Sequence, residues 1–145
     1  MANHMWDDIV AFHNKFELQQ ADFPTVILPD GLMAFRVQFL REELDEFIEA
    51  IDTNDTMKAF DALIDLVYVA MGTAYLCRFP WVSGWEVVQA ANMTKIRAIH
   101  ADESKRGSQY DVIKPAGWVP PDHELQCILE IVKQRLKRAK LVLVP

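Results

Sequence analysis

Apolar positions recur three and four residues apart through most of the chain, and strict alternation is nearly absent, so the pattern predicts helices. A first helix is expected from about Met5 to Gln20, with Trp6, Ile9, Val10, His13 and Phe16 on one side. "FPTVILPDG" follows, and its two prolines and glycine read as a connection. A second helix is expected from Leu32 to about Ile51. "DTNDT" interrupts it, and Asp55 can cap a third helix from Thr56 to about Cys77. "RFPWVSGWE" reads as a turn, in which Ser83 and Glu86 have capping-box spacing for a fourth helix reaching about Ile96. Residues 100–121 carry charge, Gly107, Gly117 and three prolines, and read as a long irregular loop of the kind that is usually functional or mobile. A last amphipathic helix is expected from Asp122 to about Lys140, with Leu125, Ile128, Leu129, Val132 and Leu136 aligned. The apolar tail "LVLVP" is short enough to dock on a partner chain or on its own domain. Together these elements predict an all-α bundle of about five helices in a single domain over residues 1–145.

Within the second helix, "REELDEF" sets an acid cluster inside an apolar run. On a wheel of about 100° per residue with Phe39 at zero, Phe47, Leu40, Ile51, Leu44 and Ile48 fill an arc from about 80° to 180°. Glu43 falls at about 40° and Glu46 at about −20°, both turned toward the bundle, with Arg36 at about 60°. Glu42, Asp45 and Glu49 fall on the opposite, solvated side. The third helix, "MKAFDALIDLVYVAMGTAYL", is apolar nearly all round, as a central helix is, yet carries Asp61 and Asp65 on the stripe of Tyr68, Gly72 and Tyr75. Carboxylates in such a place need a cation or a hydrogen-bond partner. Arg36, Lys58 or Lys95 could supply part of the charge, and a divalent ion could supply more. An all-oxygen donor set suits Mg²⁺ or Mn²⁺, and the Glu-x-x-His pattern of a di-iron bundle is absent.

Composition narrows the partners. The net charge of −6 gives no footprint for a nucleic acid polymer, and the 51% hydrophobic content supports a substantial core. Cys77 and Cys127 stand 50 residues apart with no metal or redox spacing, and are expected as buried free thiols. No signal peptide and no uninterrupted apolar run of about 18 residues is seen, so no membrane partner is expected and a reducing cytoplasm fits.

Several segments taken in order resemble MazG-like all-α nucleoside triphosphate pyrophosphatases. "EELDE" at 42–46 resembles the E-E-x-x-E half of their motif, and "DALIDLVYVAMGTA" at 61–74 resembles the E-x-x-D half together with the stretch after it. "NMTK" at 92–95 and "KPAGWVPPD" at 114–122 resemble segments of phage-type and phosphoribosyl-ATP pyrophosphohydrolase-like members, and "AFHNKF" resembles their first helix. The likeness runs over about residues 8–122. One position departs: Ala62 stands where the motif has Glu, and Asp61 lies one place earlier, still on the face of Asp65.

The resemblance implies a four-helix catalytic core and hydrolysis of a nucleoside triphosphate to the monophosphate and pyrophosphate. Glu43, Glu46, Asp65 and Asp61 would hold Mg²⁺, with Mn²⁺ able to substitute, and Glu42 or Glu46 would act as general base. Arg36, Lys95 and Lys114 would offset phosphate charge. His13, Tyr68, Asn92 and Trp118 are the other candidate substrate contacts; core packing for Phe12, a helix C-cap for Asn92 and a hydrophobic plug for Trp118 stand beside those roles. A homodimer or homotetramer, with the site near a subunit interface, is also implied. The loop style is that of phage-type members, which would act in a host cytoplasm. Phosphoribosyl-ATP hydrolysis and a non-catalytic helical interaction module are the rival readings.

Overall fold

The computed structural model describes residues 4–142. The elements run α1 (His4–Lys15), α2 (Leu32–Asp52), α3 (Thr56–Leu76), α4 (Trp81–Met93), β1 (Ile96–Arg97), a 3-10 turn at Ala101–Glu103, β2 (Val112–Ile113) and α5 (Asp122–Val142). The all-α expectation holds, with one two-stranded ladder added. The described chain divides into two compact units. One runs up to Trp81 and takes in the end of the chain from Ile131; the other is Val82–Glu130.

In the first unit α3 is central, with α2 packed along it and α1 against it. Its core gathers Ile9 of α1 with Met71, Tyr75 and Leu76 of α3, and Trp6, Leu32, Tyr68 and Trp81 pack around them. Trp6 stacks on Trp81 with ring centres 6.2 Å apart. The connection from α2 to α3 is tight. Asn54 takes a left-handed conformation, its amide bonds Ile51 O, and the Asp55 amide bonds Ala50 O. This is the Schellman pattern. Asp55 then caps α3 as expected, accepting from the Lys58 amide at 3.0 Å.

The same device ends α1 early. Glu17 is left-handed, the Glu17 amide bonds Asn14 O and the Leu18 amide bonds His13 O, so the helix stops at Lys15 and not near Gln20. α3 closes likewise at Arg78, whose amide bonds Tyr75 O while Phe79 bonds Ala74 O. None of these left-handed positions is a glycine, so composition gave no stop signal at Glu17 or Arg78.

α3 is 21 residues long with a mean hydropathy of 1.4 over its most apolar window, enough by length and composition to cross a membrane. Its buried residues, among them Val69, Met71, Gly72 and Tyr75, face α1 and α2, as those of a bundle's central helix do.

A polar junction ties α1 and α2 to α3 at Gly72. The Arg36 guanidinium donates to Val69 O at 2.7 Å and to Thr73 Oγ1 at 3.0 Å. His13 Nδ1 donates to Ile9 O at 2.8 Å, and its ring lies 4.4 Å from that of Tyr75. A Cβ on Gly72 would stand 3.0 Å from His13 Cε1 and 3.1 Å from Arg36 Nη2.

In the second unit α4 begins right after Pro80, before the expected cap at Ser83, and ends at Met93. The chain then straightens into β1, which pairs antiparallel with β2 in the register Ile96↔Ile113, Arg97↔Val112. Inside the loop, Ser104 Oγ donates to Asp111 at 2.6 Å and Arg106 grips the same carboxylate at 2.9 Å. Cys77 is buried, but Cys127 is exposed, because it lies off the Leu125–Ile128–Leu129 stripe of α5. Residues 143–145 of the apolar tail lie outside the described residues.

The Gly72 junction yields a direct test. Gly72→Ala should cost about 1–3 kcal/mol through overpacking. Gly84→Ala, whose Cβ would meet only Leu125 Cδ2 at 3.7 Å, should be neutral or stabilising by up to about 1 kcal/mol. Urea unfolding of both variants measures the contrast.

Candidate active site

Five acids of α2 and two of α3 are separated by their environments. Glu43 is buried at 7% exposure, whereas Glu42, Asp45, Glu46, Glu49, Asp61 and Asp65 are exposed. The inward placement of Glu43 is therefore observed, as is the outward placement of Glu42, Asp45 and Glu49. Glu46 differs: at the edge of the arc, its side chain reaches solvent.

Exposure does not separate these groups electrically. The Glu43 carboxyl is pushed above the usual carboxylate range, first by burial, then by the charges of Glu46, Asp65, Glu42 and Asp61. Its Oε2 is buried with no hydrogen-bond partner. Among the described residues none of these seven acids is in an ion pair, so no basic side chain closes on the group. Lys58 offers Asp55 only its backbone amide. Arg36 spends its donors on the backbone and hydroxyl of α3.

A buried, orphaned carboxylate oxygen beside four other carboxylates has the donor chemistry of a hard divalent cation site. Among the described residues, no three His, Cys, Asp or Glu side chains converge tightly enough to enclose an ion by themselves. The acids fit as one wall, which water and the oxygens of a bound anion would complete; Mg²⁺ is usually held in that way. Ala62, at the motif position for Glu, is buried at 3%, so a longer side chain there would point into the bundle. Asp61 is exposed and acts on Glu43 least among the four acids.

The remaining candidates fall into two groups. His13 and Arg36 lie in the core of the first unit at 2% and 8% exposure. Burial lowers the His13 pKa, and its Nδ1 proton is committed to Ile9 O. Tyr68 is half-buried, edge-on to Phe12 at 5.4 Å, and burial followed by the Asp8 charge raises its pKa. Phe12 is itself 39% exposed, not core. In the second unit, Lys95 Nζ donates to Asn92 Oδ1 at 2.8 Å. The Trp118 ring is anchored by Nε1 to Ala91 O at 3.1 Å, with Lys95 and Lys114 over it.

The site in the first unit carries a stability signature. The raised Glu43 pKa means that the folded chain holds this proton more tightly than the unfolded chain does, so stability falls as pH rises through the range just above 4.5. Glu43→Gln should raise the melting temperature in EDTA at neutral pH and remove part of that decline, as read by thermal unfolding from pH 4 to 8.

The sequence model of one family, described as phosphoribosyl-ATP pyrophosphohydrolase, matches residues 9–92, which takes in the second half of α1, all of α2 and α3 and most of α4. No curated protein matches the chain.

Proposed function

The chain belongs to the phosphoribosyl-ATP pyrophosphohydrolase family, within the MazG-like all-α superfamily, and from that premise we propose that it hydrolyses a nucleoside or deoxynucleoside triphosphate to the monophosphate and pyrophosphate with Mg²⁺. Family membership makes it a pyrophosphohydrolase of nucleotides, and the superfamily typically uses a divalent metal. The observation that carries the finer reading is the buried, unpartnered Glu43 carboxylate among like charges. Without a cation that arrangement only destabilises the fold.

Glu43, Glu46 and Asp65, with Asp61 at the margin, would hold the metal, which neutralises phosphate oxygens and lowers the pKa of water when bound. Glu46 and Glu42, both exposed on α2, are the candidates for the base that takes the proton of the attacking water. Tyr68, Asn92, Lys95, Lys114 and Trp118 are proposed as substrate contacts. His13 and Arg36 are assigned instead to holding α1 and α2 on α3. Phosphoribosyl-ATP is the second reading, favoured by the description of the matching family. Pyrophosphate release from a panel of NTPs, dNTPs and phosphoribosyl-ATP decides between them.

Glu43→Gln and Glu46→Gln should each lower turnover by about 100-fold or more, each tenfold being about 1.36 kcal/mol of transition-state stabilisation. Asp61→Asn should lower it less, and Glu49→Gln should leave it unchanged. Equal loss in all four variants would refute the metal assignment.

A self-associated state is part of the proposal. The outer face of the α2–α3 hairpin exposes Leu44, Ile48, Phe60, Leu63, Ile64 and Val67, by as much as 69% at Phe60. So large an apolar face is more than a monomer usually shows to water. Sedimentation at micromolar concentration should give a dimer or tetramer, and Ile64→Glu should shift it toward monomer; a wild-type monomer would remove this element.

A further inference from the structure

The second unit holds a concavity of about 440 Å³ whose charge is opposite to that of the whole chain. Lys95, Lys105, Arg106 and Lys114 line it, with Glu103 and Asp111 as the carboxylates. Both acids are committed elsewhere. Glu103 accepts from the backbone amides of Ile99 and His100 at 2.6 and 3.1 Å. Asp111 accepts from Ser104, from Arg106 and from the Val112 amide. Arg106 is thereby paired, but Lys95, Lys105 and Lys114 make no ion pair among the described residues.

The ladder explains why two of these lysines stay close. Its register, Ile96↔Ile113, carried one step outward sets Lys95 across from Lys114. Like charges directly opposite in an antiparallel pair destabilise it. Here the pair is held by the indole of Trp118, with Lys114 Nζ 4.5 Å and Lys95 Nζ 5.4 Å from the ring centre. Neither contact neutralises an ammonium group, and the Lys95 bond to Asn92 is to a neutral oxygen. Two ammonium groups held over one indole in the lining of a basic concavity call for an anion with closely spaced negative oxygens.

We propose that this concavity binds the phosphate chain of a polyphosphate ligand, with Lys95 and Lys114 as a two-point clamp and Lys105 as a third contact. The proposal adds Lys105 and the clamp to the substrate contacts given above, and rests on that reading for the kind of anion. Two sources share the chemistry: the triphosphate of a nucleotide and free pyrophosphate.

Calorimetric titration of the whole protein in EDTA at low salt, with inorganic pyrophosphate and separately with a nucleoside triphosphate, tests it without turnover. Saturable binding of at least one ligand is expected. Lys105→Ala and Lys114→Ala should each weaken it at least threefold, and raising salt from about 50 to 300 mM should weaken it further. Lys133→Ala, on the exposed side of α5, should leave it unchanged. Lys105 is exposed, and Lys114→Ala relieves a like-charge pair, so neither change should unfold the chain; circular dichroism checks this. Tighter triphosphate binding identifies the nucleotide as the source, and tighter pyrophosphate binding identifies the free anion. No binding of either, binding indifferent to Lys105 and Lys114, or an equal loss in Lys133→Ala overturns the proposal. A flat titration from a protein that still releases pyrophosphate with Mg²⁺ removes this pocket alone. Binding without metal-dependent hydrolysis removes the catalytic reading alone.

Discussion

The absence of a side chain at Gly72 lets three helices meet. Because no Cβ stands there, the His13 imidazole of α1 and the Arg36 guanidinium of α2 both reach the surface of α3. Arg36 then bonds Val69 and Thr73, one turn apart, and so fixes how α2 lies along α3. Seven residues further on, close to two turns, Glu43 is carried to the same side of α2. The burial of that one acid therefore follows from a junction that contains no acid.

The cationic residue in this junction does not neutralise the acids. Arg36 is buried among neutral acceptors, and burial lowers its pKa. Glu43 is left with only like charges around it. The chain thus keeps its buried positive and negative groups apart, which is costly in isolation and suited to a site that receives its counter-charge from outside. In the second unit the sign reverses, with uncompensated lysines beside carboxylates already engaged by backbone and Arg106.

Much of this was legible in the pattern of the sequence. The bounds of α2 and α3 and the Asp55 cap follow from periodicity and one capping residue. The wheel separated Glu43 from Glu42, Asp45 and Glu49 because Glu43 lies between Phe39 and Phe47 on the helix surface. It failed for Glu46, which sits at the edge of the arc, where a long side chain can turn to water. Direction alone also could not show that Arg36 and His13 end in the core, since that depends on the gap at Gly72. The end of α1 was missed because a glutamate holds the left-handed position usually given to glycine. The two-residue ladder was missed because pairing so short leaves no alternation to read.

The tight turn at Thr53–Asp55 has a consequence for how the protein comes into being. All the acids of the proposed metal wall lie between Glu42 and Asp65, on two helices joined by a three-residue connection. Contacts so near in sequence cost little loop entropy and form quickly. The hairpin can therefore take shape on the ribosome while later residues are still being added. An apolar surface presented that early exposes the nascent chain to aggregation.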